Sequence, residues 1–176
     1  MSIRECFTYD GFFPDASWLS RCRMLLANPR YSALVLFRLQ QAFRGRRRLS
    51  RLMARLNCVL NGGIEISNLA TIGRGVDFHH TQGVVIGGDS VVGEGVHIFG
   101  RVTIGEKNGR YPRIGRGVRL YAGCVVIGGV TVGDWAAVGP NSLVGADVRP
   151  GDIVVGVPAR STRVLAGDPF AWAKLI

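Results

Sequence analysis

The stretch IGRGVRLYAGCVVIGGVTVGDWAAVGPNSLVG, residues 114–145, repeats itself every six positions. Ile114, Leu120, Val126, Val132, Val138 and Val144 mark the period, glycine follows directly at 115, 133, 139 and 145, and the residues four further on (Val118, Cys124, Val130, Ala136, Ser142) are small or β-branched. The same spacing runs back through Ile104, Ile98, Val92 and Ile86 to Phe78, Ile72 and Ile66, thirteen units in all. A six-residue period of this kind is the signature of a parallel β-helix. Each unit makes one short flat strand and one turn, three units close a triangular coil, and the aliphatic residues stack inward as a ladder. Glycine supplies turn conformations that a Cβ obstructs, and neighbouring coils satisfy each other's backbone groups.

The period slips twice. Between Phe78 and Ile86 the interval is eight and holds His79, His80, Thr81, Gln82 and Gly83; between Ile104 and Ile114 it is ten and holds residues 106–113, Arg110 and Tyr111 among them. Extra residues do not fit inside a coil, so both segments are expected to bulge outward as loops, where binding and chemistry usually sit.

Upstream of the repeats the spacing changes to that of helices. Trp18, Cys22, Leu25 and Leu26 form one apolar set; Leu34, Phe37 and Phe43 follow; then Leu49, Leu52, Met53, Leu56 and Leu60. These offsets predict two or three amphipathic helices over residues 16–60, broken near Pro29, that cap the first coil. The expected organisation is a helical region 1–62, a β-helix domain 63–150 and a C-terminal segment 151–176.

The chain has 176 residues with 22 basic and 12 acidic side chains, a net charge of +10, and all basic residues but Lys107 and Lys174 are arginine. At 47% apolar content a packed core is expected and disorder is not. The densest basic run, Arg44, Arg46, Arg47, Arg48, Arg51 and Arg55, falls in a predicted helix. No nucleic-acid-binding motif accompanies it, which leaves a solvated helix face or attraction to an anionic membrane. Cys6, Cys22, Cys58 and Cys124 are scattered with no Cys-x-x-Cys pair, which argues against a disulfide framework or a zinc knuckle. With no membrane-spanning run and no signal-peptide pattern, a cytoplasmic location is expected.

Five segments in order, Gly-Ile-Glu-Ile (63–66), Ile-Gly-Arg-Gly (72–75), His-Thr-Gln-Gly (80–83), Arg-Tyr-Pro-Arg-Ile-Gly (110–115) and Val-Gly-Val-Pro-Ala-Arg (155–160), resemble the serine acetyltransferase branch of the hexapeptide acyltransferases. The resemblance spans about residues 30–165. It implies a mainly β chain, a left-handed parallel β-helix with a short N-terminal helical region, a homotrimer, and acetyl-CoA in the groove between adjacent subunits. His80 corresponds to the family's catalytic base, and Glu65 lies where the family places an aspartate that orients it.

The chemistry of the residues runs parallel to this. Attack on an acetyl thioester by a hydroxyl needs a general base, and imidazole suits that role near neutral pH. A carboxylate behind it would fix the tautomer and stabilise the imidazolium. No Ser or Cys has an identifiable histidine partner, so direct transfer is expected rather than an acyl-enzyme. Backbone N–H groups near Gly105 are the candidate oxyanion donors. Ala122, Gly123 and Gly139 suit the thin pantetheine arm, and Arg160 and Arg163 its phosphates.

The departures from the family concern the acceptor. His79 replaces an aspartate that helps hold the serine ammonium, and Tyr111 replaces a histidine beside Arg110, the candidate carboxylate-binding arginine. The second loop is shorter than the family's, and the chain is expected to lack most of the usual N-terminal helical domain. The expected acceptor is therefore a saccharide or polysaccharide precursor, with L-serine as the alternative. A non-catalytic trimeric scaffold is the alternative from another class. A metal shared by the histidines at 79, 80 and 97 is not expected, because adjacent strand residues point to opposite faces.

Overall fold

A computed structural model of the chain describes residues 27–162 together with Ser17 and Arg23; Cys6, Trp18, Cys22, Leu25, Leu26 and Arg163 lie outside the described residues. Two helices lead the described part, α1 (Pro29–Ala42) and α2 (Arg47–Leu60). Pro29 opens α1, and the Asn28 side chain caps it by accepting the Arg30 amide at 3.1 Å.

Thirteen short strands and a terminal hairpin then wind into three parallel sheets. The first sheet stacks β1 (Glu65–Ile66), β4 (Val85–Ile86), β7 (Thr103–Gly105), β10 (Val125–Ile127) and β13 (Leu143–Val144). The second stacks β2 (Thr71–Ile72), β5 (Val91–Val92), β8 (Arg113–Ile114) and β11 (Thr131–Val132). The third holds β3 (Asp77–Phe78), β6 (His97–Ile98), β9 (Arg119–Leu120), β12 (Ala137–Val138), β14 (Ile153–Gly156) and the antiparallel β15 (Ala159–Thr162). All thirteen ladder residues named above are the second residue of a strand and are buried, so the six-residue period is the inward period of the solenoid.

The first coil has no coil before it, and how it is closed follows from hydrogen-bond direction. The amides of Glu65, Ser67, Thr71, Gly73, Asp77 and His79 all donate to the second coil. Carbonyls between them face the open end, and α1 supplies donors to them. Gln40 Nε2 reaches Ile66 O at 3.2 Å, Gln41 Nε2 reaches Ala70 O at 3.1 Å, and the Arg38 guanidinium forks onto Ile72 O and Gly73 O at 2.9 and 2.8 Å. Arg44 reaches Asn68 O. Leu34 and Phe37 of the same helix close the apolar interior over Ile66, Ile72 and Phe78. The expectation that the helices cover the first coil is met by α1.

The packing of α2 departs from expectation. Its apolar residues do not enter the core: Leu52 is 48% exposed, Leu56 37%, Val59 80% and Leu60 58%. The buried side is polar. Ser50 donates to Gln40 O, Asn57 to Ala33 O and Asn61 to Asn57 Oδ1, while Ser32 donates to Asn61 Oδ1. Helical spacing fixes which residues share a face but not which face turns inward; the side-chain amides settle that here by finding partners on α1.

Candidate functional site

The strand order places each predicted site residue among the described ones at a corner of the solenoid. His79 and His80 leave β3 at the corner where the third sheet passes to the first. Ala122 and Gly123 lie at the same corner two coils on, after β9, and Gly139 follows β12 there. Glu65 opens β1 just past this corner, and the β14–β15 turn reaches it from the far end, with Arg160 paired opposite Val155. These residues therefore form a line along one edge of the prism, adjacent coils being about 4.8 Å apart.

Gly105, Arg110 and Tyr111 lie elsewhere. The ten-residue slip leaves β7 and enters β8, so its loop stands at the corner between the first and second sheets. A single chain keeps His80 and Arg110 on different edges. The loop is pinned: Lys107 and Arg110 pair through their backbones at 3.0 and 3.2 Å. The Tyr111 ring covers Gly88, where any Cβ would overlap it, and the Arg110 stem lies on Gly129, within 2.9 Å of where a Cβ would be.

His80 is exposed while His79 is half-buried; both follow the end of β3, so the alternation that would turn His80 inward beside Phe78 does not carry past the strand. Gly100 lies beside His80 in the next coil; a Cβ there would come within 3.3 Å of the histidine Cβ, so glycine keeps this side open. Glu65 is exposed, and no hydrogen bond or ion pair joins it to His80 among the described residues. Instead Glu65 faces an open depression of about 440 Å³ between α2 and the first sheet, with Ala54, Arg55 and Cys58 on one wall and Val85 and Gly87 on the other. The smallness of Gly123 and Gly139 has a cause inside the chain. Asn141 fills the space a Gly123 Cβ would need, and Val155 Cγ1 would stand 2.6 Å from one on Gly139. Coil stacking thus already requires these two glycines, whatever lies along the edge.

Beside the edge sits a network in which sequence reading identified only His79. Asp77 and His79 share the outward face of β3, and β6 places His97 opposite Asp77. His79 Nε2 lies 3.0 Å from His97 Nδ1, and the Asp77 carboxylate lies 3.5 and 3.9 Å from these atoms. Arg30 of α1 holds both Asp77 oxygens, Nε donating to Oδ1 at 3.0 Å. The His79 ring stacks on Phe99, centroids 4.3 Å apart, and Phe99 on Tyr121 at 4.9 Å. Burial lowers the pKa of both His79 and His97; Asp77 opposes this for each, Arg30 adds to the lowering at both, and Arg119 adds to it at His97. The lowered values favour neutral imidazoles near pH 7, and the two rings share a hydrogen bond. The three ligand atoms lie close enough to surround a cation. Arg30, however, occupies the carboxylate and Arg119 stands beside His97, so a dication would meet two guanidinium groups. The chemistry on offer is hydrogen bonding and apolar stacking. The signal was legible in principle: an i, i+2 pair on a strand and a partner twenty residues, one coil, further on.

Cys124 is buried, and burial pushes its thiol up to about 12, so it is not a nucleophile. Cys58 is a free thiol in the wall of the Glu65 depression.

Comparison with known proteins accords with this geometry. Residues 111–146 match the family model described as bacterial transferase hexapeptide (six repeats). The serine acetyltransferase of Helicobacter pylori strain J99 is 35% identical over 153 residues, 84% of this chain and 89% of that protein. Serine acetyltransferase 2 of Arabidopsis thaliana is 37% identical over 158 residues, 86% of this chain, which spans only 48% of the plant protein. The soybean serine acetyltransferase apoenzyme superposes with a TM-score of 0.78 at 31% identity, covering 92% of this chain and 69% of that one. A serine acetyltransferase structure in complex with CoA gives 0.78 at 29% identity, covering 92% and 70%. On the hexapeptide ladder, the ordered motifs and these matches together, the chain belongs to the serine acetyltransferase family of hexapeptide-repeat transferases.

Proposed function

We propose that the protein is an acetyl-CoA-dependent O-acetyltransferase whose acceptor is L-serine, with His80 as general base. The observation that carries this is the edge itself: an exposed histidine standing at one end of a line of small residues along the solenoid axis. A related serine acetyltransferase is known in complex with CoA, and the soybean enzyme in complex with serine. The His80 imidazole takes the hydroxyl proton as the oxygen attacks the thioester carbonyl; the CoA thiolate leaves and takes that proton. Ala122 and Gly123 lie along the path of the pantetheine arm, Gly139 nearer the hairpin, and Arg160 at the end suited to phosphates. Arg163 belongs to the same C-terminal segment.

Because Arg110 and Tyr111 stand on a different edge from His80, the reading requires a second copy to bring them together. A homotrimer does this three times, the 106–112 loop and Gly105 of one subunit facing the His80 edge of its neighbour. Glu65, which opens β1 just past the His80 corner, is the carboxylate we assign to orient His80.

The comparisons favour serine over the saccharide expected from the sequence. One observation keeps a second acceptor in view. His79, where the family has an aspartate, is favoured neutral near pH 7, stacked on Phe99 and bonded to His97, so it offers no negative charge to an ammonium group. A sugar hydroxyl needs no such charge. Free-thiol release from acetyl-CoA, measured with L-serine, homoserine and a panel of sugars and nucleotide sugars, decides between them. His80→Ala should lower kcat about 10²–10⁴-fold with acetyl-CoA affinity nearly unchanged. An active His80→Ala beside an inactive His79→Ala would move the base to the other histidine.

A further inference from the structure

We propose that the outward face of α2 docks on an anionic lipid surface. The helix is amphipathic in the reverse sense, Ser50 and Asn57 buried against α1 and Leu52, Leu56, Val59 and Leu60 turned out. At 100° per residue, Val59, Leu52, Leu56 and Leu60 occupy an arc of about 100°, and Arg51, Arg55 and Arg48 the adjoining arc of about 60°. An apolar strip edged by arginine is the pattern of a helix lying in a bilayer interface, apolar side chains among acyl chains and guanidinium groups on the phosphates. No helix among the described residues is long and apolar enough to cross a membrane, so the contact is peripheral.

Charge decides the occupant. Between Ala16 and Ile64 there are ten arginines and no acidic residue. Arg30 and Arg38 are spent on Asp77 and on backbone carbonyls, but Arg46, Arg47, Arg48, Arg51 and Arg55 are exposed, with no acidic partner among the described residues. A second copy on this face would bring two such arginine sets into one interface with no acidic residue between Ala16 and Ile64 to offset them, and like charges repel. An anionic bilayer satisfies the strip and the charge together.

The test uses the full chain and flotation with vesicles of phosphatidylcholine alone or with one third phosphatidylglycerol. The protein should float with the phosphatidylglycerol vesicles only. Arg48→Gln and Arg51→Gln should each weaken partitioning about fivefold, and Leu52→Asp or Val59→Asp should abolish it. All four positions are exposed, so the melting temperature and acetyl-CoA turnover of the variants should stay at the parent's values. Absence of flotation, flotation independent of phosphatidylglycerol, or a Val59→Asp variant that floats like the parent would overturn the proposal. A Val59→Asp variant that sediments as a smaller particle than the parent would overturn it too, by seating a second copy on the face.

Discussion

Replacing Arg38 by methionine tests whether α1 closes the solenoid by hydrogen bonding or merely by covering it. Methionine keeps an unbranched apolar stem of similar length, so the packing beside Phe37 is largely retained. The fork onto Ile72 O and Gly73 O is lost. Arg38 is 3% exposed, so no bulk water replaces it. Each hydrogen bond from a charged donor is worth about 1.5–3 kcal/mol net, and stranding the two carbonyls forfeits about 3–6 kcal/mol. A loss of about 3–6 kcal/mol follows, and for a chain of this size that lowers Tm by roughly 6–24 °C. Scanning fluorimetry at fixed protein concentration reads it directly. Arg38→Lys should recover only part of the loss, because an ammonium cannot span two carbonyls as a planar fork does. An Arg38→Met protein melting within about 2 °C of the parent would refute the reasoning and reduce α1 to an apolar lid.

Other perturbations address the site and the core. Gly88→Ala should displace Tyr111 from its seat and raise the acceptor KM severalfold with little change in kcat, measured by steady-state kinetics. Ser90 Oγ is buried without a partner among the described residues, so Ser90→Ala should be neutral or stabilising by up to about 1 kcal/mol, a rise of a few degrees in Tm. His79 and His97 hold their pKa below the ordinary 6.5, so the unfolded chain binds protons that the folded chain refuses. Their contribution to stability is whole above that value and is lost as pH falls through the lowered folded values. Melting scans from about pH 7 to about pH 5 should decline, and the decline should be shallower in a His79→Gln, His97→Gln double variant. Glu65→Gln should reduce kcat less than His80→Ala does, read in the same thiol-release assay.

The ladder was legible because each rung answers to one local rule: an aliphatic residue at the second strand position, repeated every six. Even the separation of His80 from Arg110 was implicit, since one insertion follows the third unit and the other the seventh, which are different corners of a three-sided coil. Other features depended on partners remote in sequence. Arg30 and Asp77 meet across 47 residues, and nothing in either segment announces the other. The facing of α2 turned on Ser50 and Asn57 finding backbone carbonyls on α1, a choice that apolar spacing leaves open. Gly123 and Gly139 read as room for a ligand, yet their space belongs to Asn141 and Val155.

The direction of the first coil's hydrogen bonds bears on how such a solenoid can be extended or fused. Its leading rim is rich in acceptors, so the element placed before it has to carry donors, a role that glutamine and arginine fill here. A helix rich in glutamate in the same place would set anions against carbonyl oxygens and leave the rim open. Part of the net charge of +10 is therefore grammar rather than message: Arg38 and Arg44 are spent on joining helix to coil and do not address another molecule.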